Sequence, residues 1–290
     1  MFPQFNKTRL APTPSGFLHL GNVLSFSITA ALAKKSNAQT LLRIDDLDRA
    51  RANPRYLRDI FDTLQFLDIP WNTGPRDAEE FNESYSQVYR MDKYQEALAR
   101  LAEAKMVYAC ACSRKDLLTA GRCLCEEKHI PLNAEDTSWR LKTRDCGEQT
   151  VRCLDGSLIH SELPEDMHNF VVKKKDGFPA YQLASVIDDL FYGIDMVVRG
   201  QDLWESTLAQ QVLAAMLGKA RFSEITFLHH PLLAEPSGLK MSKSSGATSI
   251  KYLRESGKTK IEVFEIIGGL LGFTQTIAGW QELGELFTGG

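Results

Sequence analysis

The chain has 290 residues, a length that suggests about two domains, and its 43 % hydrophobic and 24 % charged content is that of a soluble globular protein. Its formal net charge of -3 excludes a molecule that is basic all over, while a local basic track for nucleic acid stays open at Arg49, Arg51, Arg55 and Arg58 or at Lys173, Lys174 and Lys175; a solvated face is the plain alternative for each cluster. No run approaches the roughly 18 apolar residues of a membrane helix, and Met1 to Lys7 lack the apolar core of a signal peptide, so a cytoplasmic protein without a membrane partner is expected.

Lys7 to Leu10 reads as a strand, and Pro12-Thr13-Pro14-Ser15-Gly16 as a rigid polar turn. A helix from Gly21 to about Ser36 follows, with Leu24, Ile28, Ala31 and Leu32 at i, i+4, i+7 and i+8 on one face. Its start offers unpaired backbone N–H groups and the positive end of a dipole to an anion. His19 stands where its ring N–H can reach a phosphate oxygen, and Gly21 leaves room for the flat face of a nucleobase. A strand from Gln39 to Asp45 completes a strand–helix–strand unit, whose parallel pairing needs a crossover of that size. Asn53 as cap and Pro54 in the first turn announce another helix, with Leu57, Ile60, Phe61, Leu64 and Leu67 on one face and a stop at Ile69-Pro70. A further helix spans about Tyr89 to Ala104.

Residues 105 to about 168 change character, with short polar turns and a strand signal at Trp139 to Lys142. Cys110, Cys112, Cys123 and Cys125 lie within sixteen residues as two Cys-x-Cys pairs, a spacing better suited to a tetrahedral metal than to disulfides in a reducing cytosol. One structural Zn2+ is expected, with free buried thiols or a partial site as the alternatives; Cys146 and Cys153 read as isolated thiols. Strands and helices then resume: Phe170 to Val172, a helix near Ala180 to Ile187, Met196 to Arg199, and a helix from about Leu203 to Leu217. Such alternation implies an α/β fold with a doubly wound parallel sheet. Lys240-Met241-Ser242-Lys243-Ser244, bracketed by Gly238 and Gly246, forms a loop of point charges able to close over pyrophosphate. His19 and this loop, about 220 residues apart, read together as one ATP site. Helical segments at Ile261 to Leu271 and Trp280 to Leu286 end the chain.

The runs Arg9 to Asn22, Arg43 to Asp48, Tyr181 to Asp189 and Val198 to Asp202, with the lysine loop, resemble the class I aminoacyl-tRNA synthetases of the glutamyl and glutaminyl branch, over residues 7 to about 250. That resemblance implies a Rossmann-like catalytic domain in two halves, 1–104 and 169–245, separated by an inserted zinc-knuckle, acceptor-binding α+β subdomain at 105–168. Only 46 residues follow Ser244, so 246–290 is expected as a short helical segment with no anticodon-binding domain. In this the chain is similar to the short members of the branch, the glutamyl-queuosine tRNA(Asp) synthetases, which consist of the catalytic core alone. The resemblance places ATP, with Mg2+, on His19, Gly21, Asn22, Lys240, Ser242 and Lys243, of which His19, Lys240 and Lys243 carry the catalytic charge. It places L-glutamate on Arg9, Ala11, Thr13, Asp45, Tyr181 and Arg199, where the planar fork of arginine suits a carboxylate. Structural ion pairs at strand ends are the alternative for Arg9 and Arg199.

Three positions depart from the family pattern. Asp45 stands where glutamate is common, Ser185 where glutamyl-tRNA synthetases have asparagine, and no tyrosine lies between Cys112 and Cys125. The activity implied is activation of glutamate to glutamyl-adenylate by a monomer, then transfer to queuosine in the anticodon stem-loop of tRNA(Asp). A truncated or discriminating glutamyl-tRNA synthetase charging a 3' end, and a catalytically silent RNA-binding regulator, are the rival readings.

Overall fold

The computed structural model describes residues 4–120, 123–233 and 249–288. In chain order the elements are β1 (Lys7–Leu10), α1 (Leu20–Ser36), β2 (Gln39–Leu42), α2 (Pro54–Phe66), α3 (Ala78–Glu80), α4 (Met91–Glu103), β3 (Val107–Cys110), α5 (Arg114–Ala120), β4 (Ser138–Leu141), β5 (Gln149–Cys153), β6 (Leu158–Ser161), β7 (Val171–Lys173), α6 (Tyr181–Tyr192), β8 (Met196–Gly200), α7 (Trp204–Met216), β9 (Thr226–His230), α8 (Ile250–Glu255), α9 (Lys260–Leu270) and α10 (Trp280–Thr288). They divide into two compact units: Met1–Tyr89 with Ile194–Leu203 and Thr226–Gly290, and Arg90–Gly193 with Trp204–Ile225. Among the described residues no helix is long and apolar enough to cross a membrane.

The first unit holds the expected parallel arrangement. β1 pairs with β2 from Lys7↔Gln39 to Leu10↔Leu42, and β8 pairs with β9 from Met196↔Thr226 to Gly200↔His230, both in parallel. The two pairs meet where Asp195 N–H donates to the Lys7 carbonyl (3.1 Å) and the Thr8 hydroxyl to the Met196 carbonyl (2.9 Å), so β1 and β8 also run in the same direction. Regular pairing of β2 ends at Leu42, short of the expected Asp45, yet the alignment continues: Arg43 N–H donates to Leu10 and Asp45 N–H to Pro12, each at 2.9 Å.

Helix α1 is the crossover between β1 and β2. Where one apolar face is expected from the sequence, burial extends nearly all round, taking in Val23, Phe26, Ser27, Thr29 and Ala30 besides Leu24, Ile28 and Leu32. The cause lies far along the chain, because α1 touches β1, β2 and β8 and is also covered by α10. The closest approach is at Gly284, where a Cβ would stand 2.2 Å from Ala31 Cβ and 2.8 Å from the Ser27 carbonyl oxygen. Each fully buried Leu or Ile of α1 contributes about 1.5–3 kcal/mol relative to leaving it exposed. Helix α2 starts as expected, with Asn53 Oδ1 accepting from Arg55 N–H (2.9 Å), and buries Leu57, Ile60, Phe61 and Leu64. Helix α9 is fixed by a reciprocal cap between Thr259 and Glu262.

In the second unit β3, β4 and β7 form an antiparallel sheet, and β5 and β6 a hairpin, beside α4, α6 and α7. The strand expected at Phe170 to Val172 does form, but it pairs antiparallel with β4 instead of resuming a parallel sheet. A three-residue apolar run carries no information about its partner. Helices α4 and α6 are locked by Asp188, fully buried, which accepts a two-pronged contact from Arg90 (2.8 and 3.1 Å) and the Tyr94 hydroxyl (2.7 Å).

Candidate active site

His19 is the residue before α1, with an extended backbone, and its carbonyl accepts from Asn22 N–H (2.9 Å) and Val23 N–H (3.2 Å). Its own N–H donates to Asn22 Oδ1 at 3.0 Å, so the Asn22 side chain fixes the histidine backbone at the positive end of the helix. Gly21 serves the same end: a Cβ there would lie 3.2 Å from Cε1 and from Nδ1 of the His19 ring, and the imidazole fills the space the glycine leaves.

The two sides of residues 234–248 are both fastened to this helix start. At the end of β9, the His230 Nδ1 proton points to the Pro231 carbonyl (2.9 Å), which leaves Nε2 to accept from Ser25 Oγ on α1 at 2.6 Å. On the far side, Ser249 makes an antiparallel bridge with His19, and Ile250 N–H donates to the Leu18 carbonyl at 2.8 Å. Ser249 Oγ also caps α8, accepting from Tyr252 N–H. Arg254 on α8 pairs with Asp59 on α2 (2.9 Å), while Lys251 lies over the Phe17 ring, which meets Tyr56 edge-on at 4.7 Å. Lys240, Ser242 and Lys243 lie outside the described residues.

Arg9 on β1 and Arg199 on β8 are both buried, and Arg9 Nη1 donates to the carbonyl of Val198, the neighbour of Arg199. The Arg199 guanidinium lies 5.0 Å from the Phe227 ring centre and is in register with His229 of β9. Burial, then Arg199 and His230, hold His229 down at about 3, so its ring is neutral near pH 7. Asp45 is gripped by Arg43 through Nε–Oδ1 (2.8 Å) and Nη2–Oδ2 (3.1 Å), a fork that sets the direction of the carboxylate. Ala11 and Thr13 sit in the turn after β1, Thr13 Oγ1 lying 3.2 Å from Ser15 Oγ. Tyr181 belongs to the second unit, at the first residue of α6, where it is 45 % exposed; Ser185, one turn on, is buried.

The four clustered cysteines come together. Their Sγ atoms all lie within 4.8 Å of one another, with Cys110–Cys123 at 3.4 Å, Cys112–Cys125 at 3.5 Å and Cys112–Cys123 at 3.9 Å. Zn–S bonds of 2.3 Å in a tetrahedron give sulfur separations of about 3.8 Å, so the donor set and spacing can hold a divalent metal such as zinc. Burial opposes ionisation of Cys110, but contacts with Arg140 and the neighbouring thiols outweigh it and hold this thiol down at about 7.

Residues 6–288 match the family described as tRNA synthetases class I (E and Q), catalytic domain. The chain belongs to that family. A glutamyl-Q tRNA(Asp) synthetase of Dechloromonas aromatica is 34 % identical over 264 residues, covering 86 % of this chain and 82 % of that protein. A glutamate–tRNA ligase of Chlamydia abortus is 32 % identical over 287 residues, covering 92 % of this chain but only 55 % of the ligase. Among solved structures, a glutamate tRNA ligase from Elizabethkingia meningosepticum in complex with its amino acid superposes with a TM-score of 0.72 at 20 % identity, over 96 % of this chain and 64 % of that one. The chain is thus a class I aminoacyl-tRNA synthetase-like ligase with the fold of that class.

Within this synthetase core, the sequence alone assigns no role to two groups. Arg43 was part of a motif but had no role, and the only signal was its position two residues from Asp45 on an extended segment. His229 carried no sequence signal beyond preceding His230-Pro231. The expected RNA-facing cations are largely engaged within the protein: Arg49 with Asp46, Arg51 with Asp48, Lys174 with Asp176, Lys173 over the Trp139 ring, and Lys175 on the Ala111 carbonyl.

Proposed function

We propose that this synthetase core activates L-glutamate with ATP to glutamyl-adenylate and transfers the glutamate to queuosine in the anticodon stem-loop of tRNA(Asp). The observation that supports the activation step is that described residues on either side of 234–248 meet the start of α1, His230 bonding Ser25, and Ser249 and Ile250 bonding His19 and Leu18. The start of α1 offers unpaired N–H groups and the positive end of a dipole, which suit an anion, and in this reading Lys240 and Lys243 act at that end.

In this reading the glutamate α-carboxylate attacks the α-phosphate, and pyrophosphate leaves. His19 with Lys240 and Lys243 neutralises the charge that builds on the transferring phosphates, and Gly21, Asn22 and Ser242 help to hold the nucleotide. Mg2+ supplies further charge neutralisation when it arrives with ATP. Arg9 and Arg199 take the two carboxylates, Tyr181 donates a hydroxyl, and Ala11 and Thr13 line the turn. Asp45, kept in place by the Arg43 fork, takes the ammonium group through a bridging water, since its side chain is one methylene shorter than glutamate. No protein nucleophile is required, because alignment and electrostatics suffice, each missing donor costing about 3 kcal/mol. Zn2+ on Cys110, Cys112, Cys123 and Cys125 is structural, and the protein works as a cytoplasmic monomer. The acceptor assignment draws on the glutamyl-Q tRNA(Asp) synthetase relative, 82 % of which this chain covers.

His19→Ala and Lys243→Ala are expected to abolish glutamate-dependent ATP–pyrophosphate exchange with the fold intact by circular dichroism; normal exchange in both overturns the activation step. Charging queuosine-containing and queuosine-free tRNA with labelled glutamate tests the acceptor. Ester formation that ignores queuosine favours charging of a 3' end, and no exchange at all favours a silent regulator.

A further inference from the structure

Tyr108 and Cys110 are two residues apart on β3 and share a face of the sheet; across the ladder Arg140 is in register with Tyr108, and Ser138 with Cys110. Tyr108 packs in one buried cluster with Cys110 and Cys125, against which Cys112 and Cys123 also lie. The Tyr108 hydroxyl is next to Cys123, and the Arg140 guanidinium next to Cys110. Yet Tyr108 Oη and Arg140 Nε, both buried, meet hydrogen-bond geometry with none of the described residues. Arg140 is otherwise anchored, Nη1 donating to the Asn169 carbonyl at 2.8 Å, so the direction of its Nε is set by the sheet and not by solvent.

A buried donor without an acceptor is costly and calls for an explanation. Neutral thiols are poor acceptors, whereas thiolates on a metal are strong ones. Four thiolates around a divalent cation also keep roughly two negative charges. Two cationic groups stand ready for them: Arg140 itself, and Lys175, whose Nζ donates to the carbonyl of Ala111 between Cys110 and Cys112 at 2.9 Å. On the reading of the four cysteines as a metal site, we propose that Tyr108 and Arg140 are its outer shell, with Tyr108 Oη–H donating to the Cys123 thiolate and the Arg140 guanidinium to the Cys110 thiolate. Lys175 completes the charge balance. The two buried donors then gain strong acceptors when the cluster is loaded, which binds metal retention to the packing of β3 against β4.

The test uses the full chain loaded with zinc and, separately, with Co2+. Tyr108→Phe removes one hydroxyl, and Arg140→Met removes the charge while keeping length. Each is expected to release zinc to a chromogenic chelator ten to one hundred times faster than the parent protein, and to move the thiolate-to-cobalt charge-transfer band. Arg140→Lys, which keeps the charge but not the fork, restores part of the loss. Release rates and cobalt spectra unchanged in Tyr108→Phe and Arg140→Met overturn the outer shell while leaving the metal site standing. A parent protein that takes up neither ion overturns both. Should Arg140→Met fail to fold, Tyr108→Phe decides alone, since it deletes a single oxygen.

Discussion

Replacing Gly284 by alanine tests the packing that holds α1. The added Cβ would stand 2.2 Å from Ala31 Cβ, 2.8 Å from Ser27 O and 3.4 Å from Ser27 C, where carbon atoms prefer about 3.5–4 Å. None of these is the end of a flexible side chain, so α10 itself has to retreat by more than an ångström, loosening Leu283 and Trp280, which it buries. Overpacking of this kind costs about 1–3 kcal/mol, and at the upper end here because two backbones are involved. Alanine in a helix returns about 1 kcal/mol of propensity. The net loss is about 2 kcal/mol, or roughly 4–8 °C in Tm, measured by calorimetry. Gly269 on α9 is the control: a Cβ there meets nothing within 4 Å, and Gly269→Ala is expected to raise Tm slightly. A Gly284→Ala protein as stable as the parent, or gaining as much as Gly269→Ala, would falsify the close crossing of α1 and α10.

Asp188→Ala strands the buried Arg90 guanidinium and is expected to cost about 3–5 kcal/mol in urea denaturation, with Tyr94→Phe costing about 1; equal, small losses for both would mean the ion pair is dispensable. His229 is held near 3 against its ordinary 6.5, so folding favours the neutral ring. The stability it lends is complete above about pH 6.5 and is lost as pH falls towards 3, and His229→Gln should flatten the denaturation midpoint over that range. Parallel pH profiles for the two proteins would rule this out. Arg43→Lys replaces the fork on Asp45 by a point contact; the KM for glutamate in pyrophosphate exchange is expected to rise about tenfold with the KM for ATP unchanged, and a matching rise in both would assign Arg43 to the fold alone.

Much of the first unit was legible in the sequence because its signals are local. Asn53-Pro54 announces α2, and the apolar spacing of Leu57 to Leu64 sets its buried face. The paired Cys-x-Cys spacing was enough to anticipate that Cys110, Cys112, Cys123 and Cys125 meet. What escaped depends on distant partners. Strand β9 (Thr226–His230) ends in two histidines with no clear alternation, and becomes a strand through its ladder with β8. The six-residue α8 is too short for a periodic pattern and is held by Arg254 on Asp59, 195 residues earlier in the chain. The all-round burial of α1 is likewise written partly in α10. The roles of Arg43 and of Tyr108 with Arg140 follow from side-chain direction and strand register, which no residue count supplies.

The covering of α1 by α10 has a bearing on how the polypeptide is made. On the ribosome, Ser36 emerges roughly 240 residues before Trp280, which at 5–20 residues per second is an interval of about 12–50 s. Throughout it, an apolar helix destined to be enclosed on most of its surface lacks its final cover, and β8 and β9 arrive only late in the wait. A nascent chain in that condition is a natural client for a chaperone, and its yield in cells should respond to chaperone supply more strongly than its finished stability would suggest.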